Sequence, residues 1–203
     1  MQGDYGEGGG AIVRLSAALS ALTGKPVKIT NIRAKRCSPG LREQHKRGIL
    51  AVAELCNAET KNVEVGSTEI EFIPGKIKKN AVHVNIGTAG SVGLVLQALL
   101  LPCFKADKEV RIEIKGGGTL GLWSPNVLYT KHVLFPMIEK LGFKAEMDVK
   151  RHGFFPRGGA EVSVKTHPAK EKELNIEKRG ELLKVKGISL SSAGLKKREV
   201  AER

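Results

Sequence analysis

Residues 82–86, Val82-His83-Val84-Asn85-Ile86, alternate apolar and polar side chains as a half-buried strand does. Gly87-Thr88-Ala89-Gly90 then leads into Ser91-Val92-Gly93-Leu94-Val95-Leu96-Gln97-Ala98-Leu99-Leu100-Leu101, an apolar run of helical length. A strand, a small-residue turn and a helix in that order open a βαβ unit. Eighty residues earlier, Glu7-Gly8-Gly9-Gly10 opens an Ala/Leu-rich helix over 11–22 in the same way. A fixed offset between two such turns is the mark of a duplicated unit.

Working outward, the first turn and helix are followed by a strand over 27–32, a helix over 41–56 and strand-like runs at 62–65 and 69–73. The second are followed by a strand over 110–115, a helix over 127–141, and strands near 143–150 and 160–165. The expected fold is α/β (α+β): repeated βαβαββ units, each a four-stranded sheet with two helices on one face. The units run over 1–78, whose first strand is missing, and 79–166. A third begins in 180–203, with a strand over 182–190, the small-residue turn Ser191-Ser192-Ala193-Gly194 and a first helix cut short at Arg203. Residues 166–179, rich in Lys and Glu, read as a linker.

With 34 Lys and Arg against 21 Asp and Glu, a net +13, the 203-residue chain attracts polyanions. Lys-rich surfaces also serve proteins of hot environments, so the charge alone leaves two readings open. The most apolar stretch, 91–104, is interrupted by Gln97 and Pro102 and is too short to span a bilayer, and no signal peptide is recognisable; a soluble, cytoplasmic protein is expected. Cys37, Cys56 and Cys103 lack the spacing of a zinc or redox motif and read as reduced core residues, while the five histidines lack metal-ligand spacing. No metal site is expected from protein ligands.

The glycines Gly8, Gly9 and Gly10, and the segment 87–90, are either tight turns needing positive φ or cradles whose amides receive a phosphate. The densest charge lies in 33–47, where Arg33, Lys35, Arg36, Arg42, Lys46 and Arg47 face one acid, Glu43. Ser38 and Pro39 suit the start of the following helix, which puts Arg42, His45 and Lys46 on one face. That face is a solvated surface or an anion contact, and Arg33 and Arg36 are placed to grip phosphate bidentately. Glu7 suits a helix start, a ribose hydroxyl or a metal. Gln97, on an apolar helix, needs a partner in the protein or in a ligand.

Taken together, Tyr5-Gly6-Glu7-Gly8-Gly9-Gly10, Ile32-Arg33-Ala34-Lys35-Arg36, Pro39-Gly40-Leu41 and Gln44-His45 resemble the RNA 3′-terminal phosphate cyclase family. So do Gly87-Thr88-Ala89-Gly90-Ser91 with Leu94-Val95-Leu96-Gln97, Gly116-Gly117-Gly118-Thr119, Arg151-His152-Gly153-Phe154-Phe155-Pro156-Arg157-Gly158-Gly159 and Val200-Ala201-Glu202-Arg203. The resemblance implies an enzyme that uses ATP and Mg2+ to adenylate itself on a histidine and passes AMP to an RNA 3′-phosphate. The adjacent 2′-hydroxyl then closes a 2′,3′-cyclic phosphate. Residue by residue it implies catalytic roles for Glu7, Arg14, Arg33 and Arg36, and ATP or phosphate binding by Gly8, Gly9, Gly10, Gln44 and Gln97.

The match has departures. The family usually carries Gln where Ala11 stands, Gly at Ala160, and acids at Leu120 and Leu128. Its nucleophilic histidine belongs to a later repeat, and none here matches it, so a second chain supplying the rest is one expectation. A non-catalytic RNA-binding relative in RNA processing or ribosome assembly is the alternative. The enolpyruvyl transferases, which share such units, are disfavoured by the His-Gly-Phe-Phe-Pro motif.

Overall fold

The computed structural model describes residues 1–122 and 124–202, in two compact units, Met1–Lys172 and Glu173–Arg203. In the first unit, α1 (Gly10–Thr23) is Ala-rich on its buried side and ends at Gly24, whose positive φ lets its N–H return to the Ser20 carbonyl. The strand β1 (Val27–Ile29) leads through a long loop to α2 (Glu43–Cys56), then to β2 (Glu59–Lys61) and β3 (Ile70–Ile73). These three strands form an antiparallel sheet in the order β1-β3-β2.

After it come β4 (Ala81–Ser91), α3 (Val92–Cys103), β5 (Val110–Gly118), α4 (Val127–Tyr129), a π-helical turn Thr130–Leu134, α5 (Phe135–Lys140), β6 (Ala145–Arg151) and β7 (Glu161–Thr166). The second sheet has the order β4-β5-β7-β6; β4 and β5 are parallel and the other pairs antiparallel. The two sheets share one plan. Where the second has the parallel β4, the first has a single parallel bridge, Gln2 to Thr30, with Gly3 N–H donating to the Thr30 carbonyl at 2.7 Å.

Period two decides what lies inside. Val82, Val84 and Ile86 on β4, Val110, Ile112 and Ile114 on β5, and Val162 and Val164 on β7 are buried, while His83, Asn85, Arg111 and Glu113 between them are exposed. The buried face meets α3, apolar nearly all round because α1 and α2 pack on it as well. One continuous core therefore joins both sheets, and it brings the N-terminus of α1, the first turn of α2 and the end of β4 to one place.

The α/β class holds, with differences in detail. The strand expected at 62–65 lies at 59–61, because Asn62 turns the chain at φ 59°. Strand β4 runs on through 87–90, where a small-residue turn is expected; its pairing with β5 shifts between Ile86 and Ser91. Ser38 and Pro39 do not start α2. The left-handed Gly40 turns the loop, buried Leu41 anchors it, and the helix begins two residues later behind Arg42. Cys37 is exposed, whereas Cys56 and Cys103 are buried.

In the second unit, Leu182, Leu183, Val185 and Ile188 are exposed, and the strand expected over 182–190 does not form. A lone segment has no neighbour with which to share its backbone hydrogen bonds. Regular structure among that unit's described residues is confined to a 3-10 helix, Ala193–Arg198. Arg203 lies outside the described residues.

Candidate functional site

The site begins where α1 starts. Gly6 and Gly8 have φ of 57° and 59°, which brings the chain round so that the Gly8 N–H donates to the Tyr5 carbonyl. Gly9 precedes the helix with no side-chain cap, leaving first-turn N–H groups free to meet a ligand. Gly10 is tighter still: a Cβ there would overlap the imidazole of His45 on α2. The start of α1 and the first turn of α2 are thereby held against each other.

His45 is 2 % exposed, and its Nδ1 accepts a hydrogen bond from the Arg42 N–H at 3.1 Å. Burial first, then the charges of Arg14, Arg33 and Arg42, push its pKa down to about 4. The ring is therefore neutral at neutral pH, with its proton on Nε2, 3.5 Å from the Gln44 amide. This corrects the expectation of a cationic face formed by Arg42, His45 and Lys46. Lys46 is in fact paired with Glu64, and Arg47 with Glu43 at 2.7 Å.

Besides Arg42, three arginines stand around this neutral wedge. Arg14, one turn into α1 and 5 % exposed, donates from Nη2 to Gln97 Oε1 on α3 at 3.4 Å. Burial lowers its pKa, and its Nε is buried without a partner among the described residues. Arg33, in the left-handed region at φ 56°, donates to the Ser38 carbonyl at 3.3 Å, yet its Nε too is buried and unpaired. Its pKa is lowered by burial first and then by Arg42 and Arg36. Arg36 reaches Glu7 Oε2 at 3.2 Å and stands beside Gly9. Mutually repelling guanidinium groups with unused N–H donors are what an incoming oxyanion relieves.

The second sheet closes the other side. A Cβ on Gly90 would stand 3.4 Å from that of Gln44, so the first turn of α2 rests on the end of β4. From Gln44 a cleft of about 590 Å³ extends along Ala89, Leu94, Leu120 and Leu122 to Phe155. All nine sequence-derived positions, Glu7, Gly8, Gly9, Gly10, Arg14, Arg33, Arg36, Gln44 and Gln97, thus fall in one connected neighbourhood. The segment 87–90 joins as strand backbone rather than as a second glycine cradle. Sequence reasoning missed the buried, neutral state of His45, whose signal is the glycine that accommodates it. It also missed the apolar cleft, whose signal is Leu120, where the resemblance leads one to expect an acid.

Among the described residues no group of three or more His, Cys, Asp or Glu side chains could hold a metal. Magnesium carried by a nucleotide takes mostly phosphate and water oxygens, and Glu7 could add one more.

The model of the family described as RNA 3′-terminal phosphate cyclase matches residues 5–180. The chain belongs to that family. Over 190 residues, 93 % of this chain and 54 % of the relative, it is 49 % identical to the RNA 3′-terminal phosphate cyclase of Methanopyrus kandleri. The like-named protein of Thermococcus kodakarensis is 53 % identical over 173 residues, 85 % of this chain and 50 % of its own length. That of Hyperthermus butylicus is 46 % identical over the whole chain and 56 % of its own length. The chain spans about half the length of the curated relatives it matches.

Proposed function

We propose that this chain forms the anion-holding half of an ATP-dependent RNA 3′-terminal phosphate cyclase. The observation that carries the reading is the convergence of Arg14, Arg33 and Arg36, two of them with buried unpaired Nε atoms, on the open helix start at Gly9 and Gly10. In the reaction, an RNA 3′-phosphate oxygen takes AMP from an adenylated histidine. The neighbouring 2′-hydroxyl then attacks that 3′-phosphorus, AMP leaves, and the hydroxyl proton goes to a base. A phosphate monoester is a poor electrophile until one oxygen becomes a leaving group, and AMP supplies it.

In this reading Arg33 and Arg36 neutralise phosphate oxygens, Gly8, Gly9 and Gly10 offer backbone amides, and Arg14 acts through its link to Gln97. Gln44, beside His45, donates from its amide, and Glu7 holds Arg36 and receives a ribose hydroxyl. ATP is the nucleotide, and bound Mg2+ would neutralise phosphate charge. The adenylated histidine is none of the five histidines of this sequence; a second chain is one source of it. No helix among the described residues is long and apolar enough to cross a membrane, and a cytoplasmic RNA-processing role fits.

The test is binding of 3′-phosphorylated and 3′-hydroxyl oligoribonucleotides by fluorescence anisotropy. The chain should prefer the phosphorylated end, and Arg33→Ala or Arg36→Ala should each cost about 1.5–3 kcal/mol on that end only. Equal losses on both oligonucleotides would instead mark a non-catalytic backbone binder. With labelled ATP the chain alone should form no stable protein-AMP; histidine adenylation would overturn the division of labour.

A further inference from the structure

The hairpin that closes the far wall of the cleft has no role in the reading above. Phe154 and Gly158 pair by two backbone hydrogen bonds, Phe154 N–H to Gly158 O at 3.2 Å and Gly158 N–H to Phe154 O at 2.6 Å. Behind them the hairpin is seated on the sheet: a Cβ at Gly158 would stand 2.9 Å from the Thr88 carbonyl oxygen and 3.1 Å from that of Gly117. The Gly153 carbonyl accepts from the Thr119 N–H at 2.9 Å. The tip, Phe155-Pro156-Arg157, is therefore a fixed feature. It holds a phenyl ring 86 % exposed at the cleft, facing no aromatic partner among the described residues. Arg157, two residues on, is exposed and has no ion pair or side-chain hydrogen bond among the described residues. Leu122, 87 % exposed, lines the same cleft, so the ring belongs to an exposed apolar pair rather than standing alone.

We propose that Phe155 and Arg157 form a subsite for the RNA strand beside its 3′-phosphate, the ring stacking on a nucleobase and the guanidinium meeting a neighbouring backbone phosphate. This rests on the function proposed above. The cleft starts at Gln44, which borders the arginine cluster. A phosphate held there leaves the attached nucleoside to lie along the apolar wall of Leu94 and Leu120 toward Phe155. A strand has phosphates on both sides of each nucleoside, which suits cations at both ends of the cleft; a mononucleotide has them on one side. Bases of any sequence stack on an aromatic face, so the subsite reads single-stranded RNA without sequence preference.

Three ligands separate the possibilities: a 3′-phosphorylated oligoribonucleotide, the same strand abasic at its 3′-terminal nucleotide, and ATP. Phe155→Ala should weaken the first about tenfold, leave the other two unchanged, and be repaired by Phe155→Trp. Arg157→Ala should weaken both oligonucleotides and lower the salt slope by about one ion. The tip is solvent-exposed, so both variants should melt like the parent. Unchanged oligonucleotide binding in Phe155→Ala overturns the proposal. A loss confined to ATP also overturns it, giving the wall to the nucleotide's own base. The proposed function fails separately, when the parent chain shows no preference for a 3′-phosphate. A parent chain that binds no oligonucleotide sinks both.

Discussion

The loops that precede α2 and α4 occupy equivalent places in the two sheets, each following the strand next to the first edge, yet their chemistry is opposite. The loop before α2 carries Arg33, Lys35, Arg36 and Arg42, whereas the loop before α4 offers Leu120, Gly121, Leu122 and Ser124 to the cleft. One backbone plan thus builds a cationic wall from one copy and an apolar wall from the other. A duplicated fold need not duplicate a surface: it can supply two unlike faces to one neighbourhood, one cationic and one apolar. The glycines differ in the same sense, since Gly8 lies in the left-handed region and opens a helix, while Gly87 and Gly90 continue a strand.

The sharpest way to break this comparison is to add a methyl group at a contact in each half. Gly93, at the start of α3, packs so closely on the Pro125 carbonyl that a Cβ would overlap it. The obstacle is backbone and cannot be trimmed away. Gly93→Ala should therefore be the most damaging substitution, costing 3 kcal/mol or about that, and chemical denaturation will show it. A soluble, normally stable Gly93→Ala would mean that α3 and the loop before α4 are not locked together at this crossing within the second half.

Acid should act almost as strongly, and on the charged half. His45 has a folded pKa of about 4 against an ordinary value near 6.5. The unfolded chain therefore takes up a proton first as pH falls. The contribution to stability is complete above about pH 6.5, declines toward pH 4 and is gone below it, a difference of about 3 kcal/mol. His45→Gln keeps an acceptor for the Arg42 N–H, as at the third position of a capping box, and should flatten that window in urea titrations across pH. A slope that survives the substitution would assign the acid sensitivity to another group.

Gly10→Ala comes next, at about 2 kcal/mol, because the Cβ meets a side chain rather than backbone. The double variant Gly10→Ala with His45→Ala should cost less than the sum of its parts, a coupling that a double-mutant cycle measures. Additive losses would show that the two residues do not touch.

Much of this was legible in advance because it rests on periodicity. The alternation Val82, Val84, Ile86 and the Ala/Leu helices name their own faces, and the fold class followed. The candidate positions were named through the resemblance and through the charge density of 33–47, and the structure adds that they lie in one neighbourhood. What could not be read was contact between distant segments: that His45 would be buried under Gly10 and lose its charge, or that Lys46 and Arg47 would be paired. The strand expected at 182–190 had the right pattern, but a pattern forms a strand only where another segment shares its hydrogen bonds. The run at 87–90 was misread because small residues suit both a turn and a strand whose pairing slips.

The smallest expected effect is the one that tests whether the cationic wall is a site or only a field. Arg47 belongs to the same run of charge as Arg33 and Arg36, but it is paired with Glu43 one turn earlier on the exposed side of α2. An exposed pair of that kind contributes about 0.3–0.5 kcal/mol. Arg47→Ala should shift stability by no more than that and leave the affinity for a 3′-phosphorylated oligonucleotide unchanged at moderate salt. Were it to lose as much affinity as Arg33→Ala, position within the cluster would not matter. Binding would then follow the net charge, and the unpaired Nε atoms of Arg14 and Arg33 would have no part in choosing the ligand.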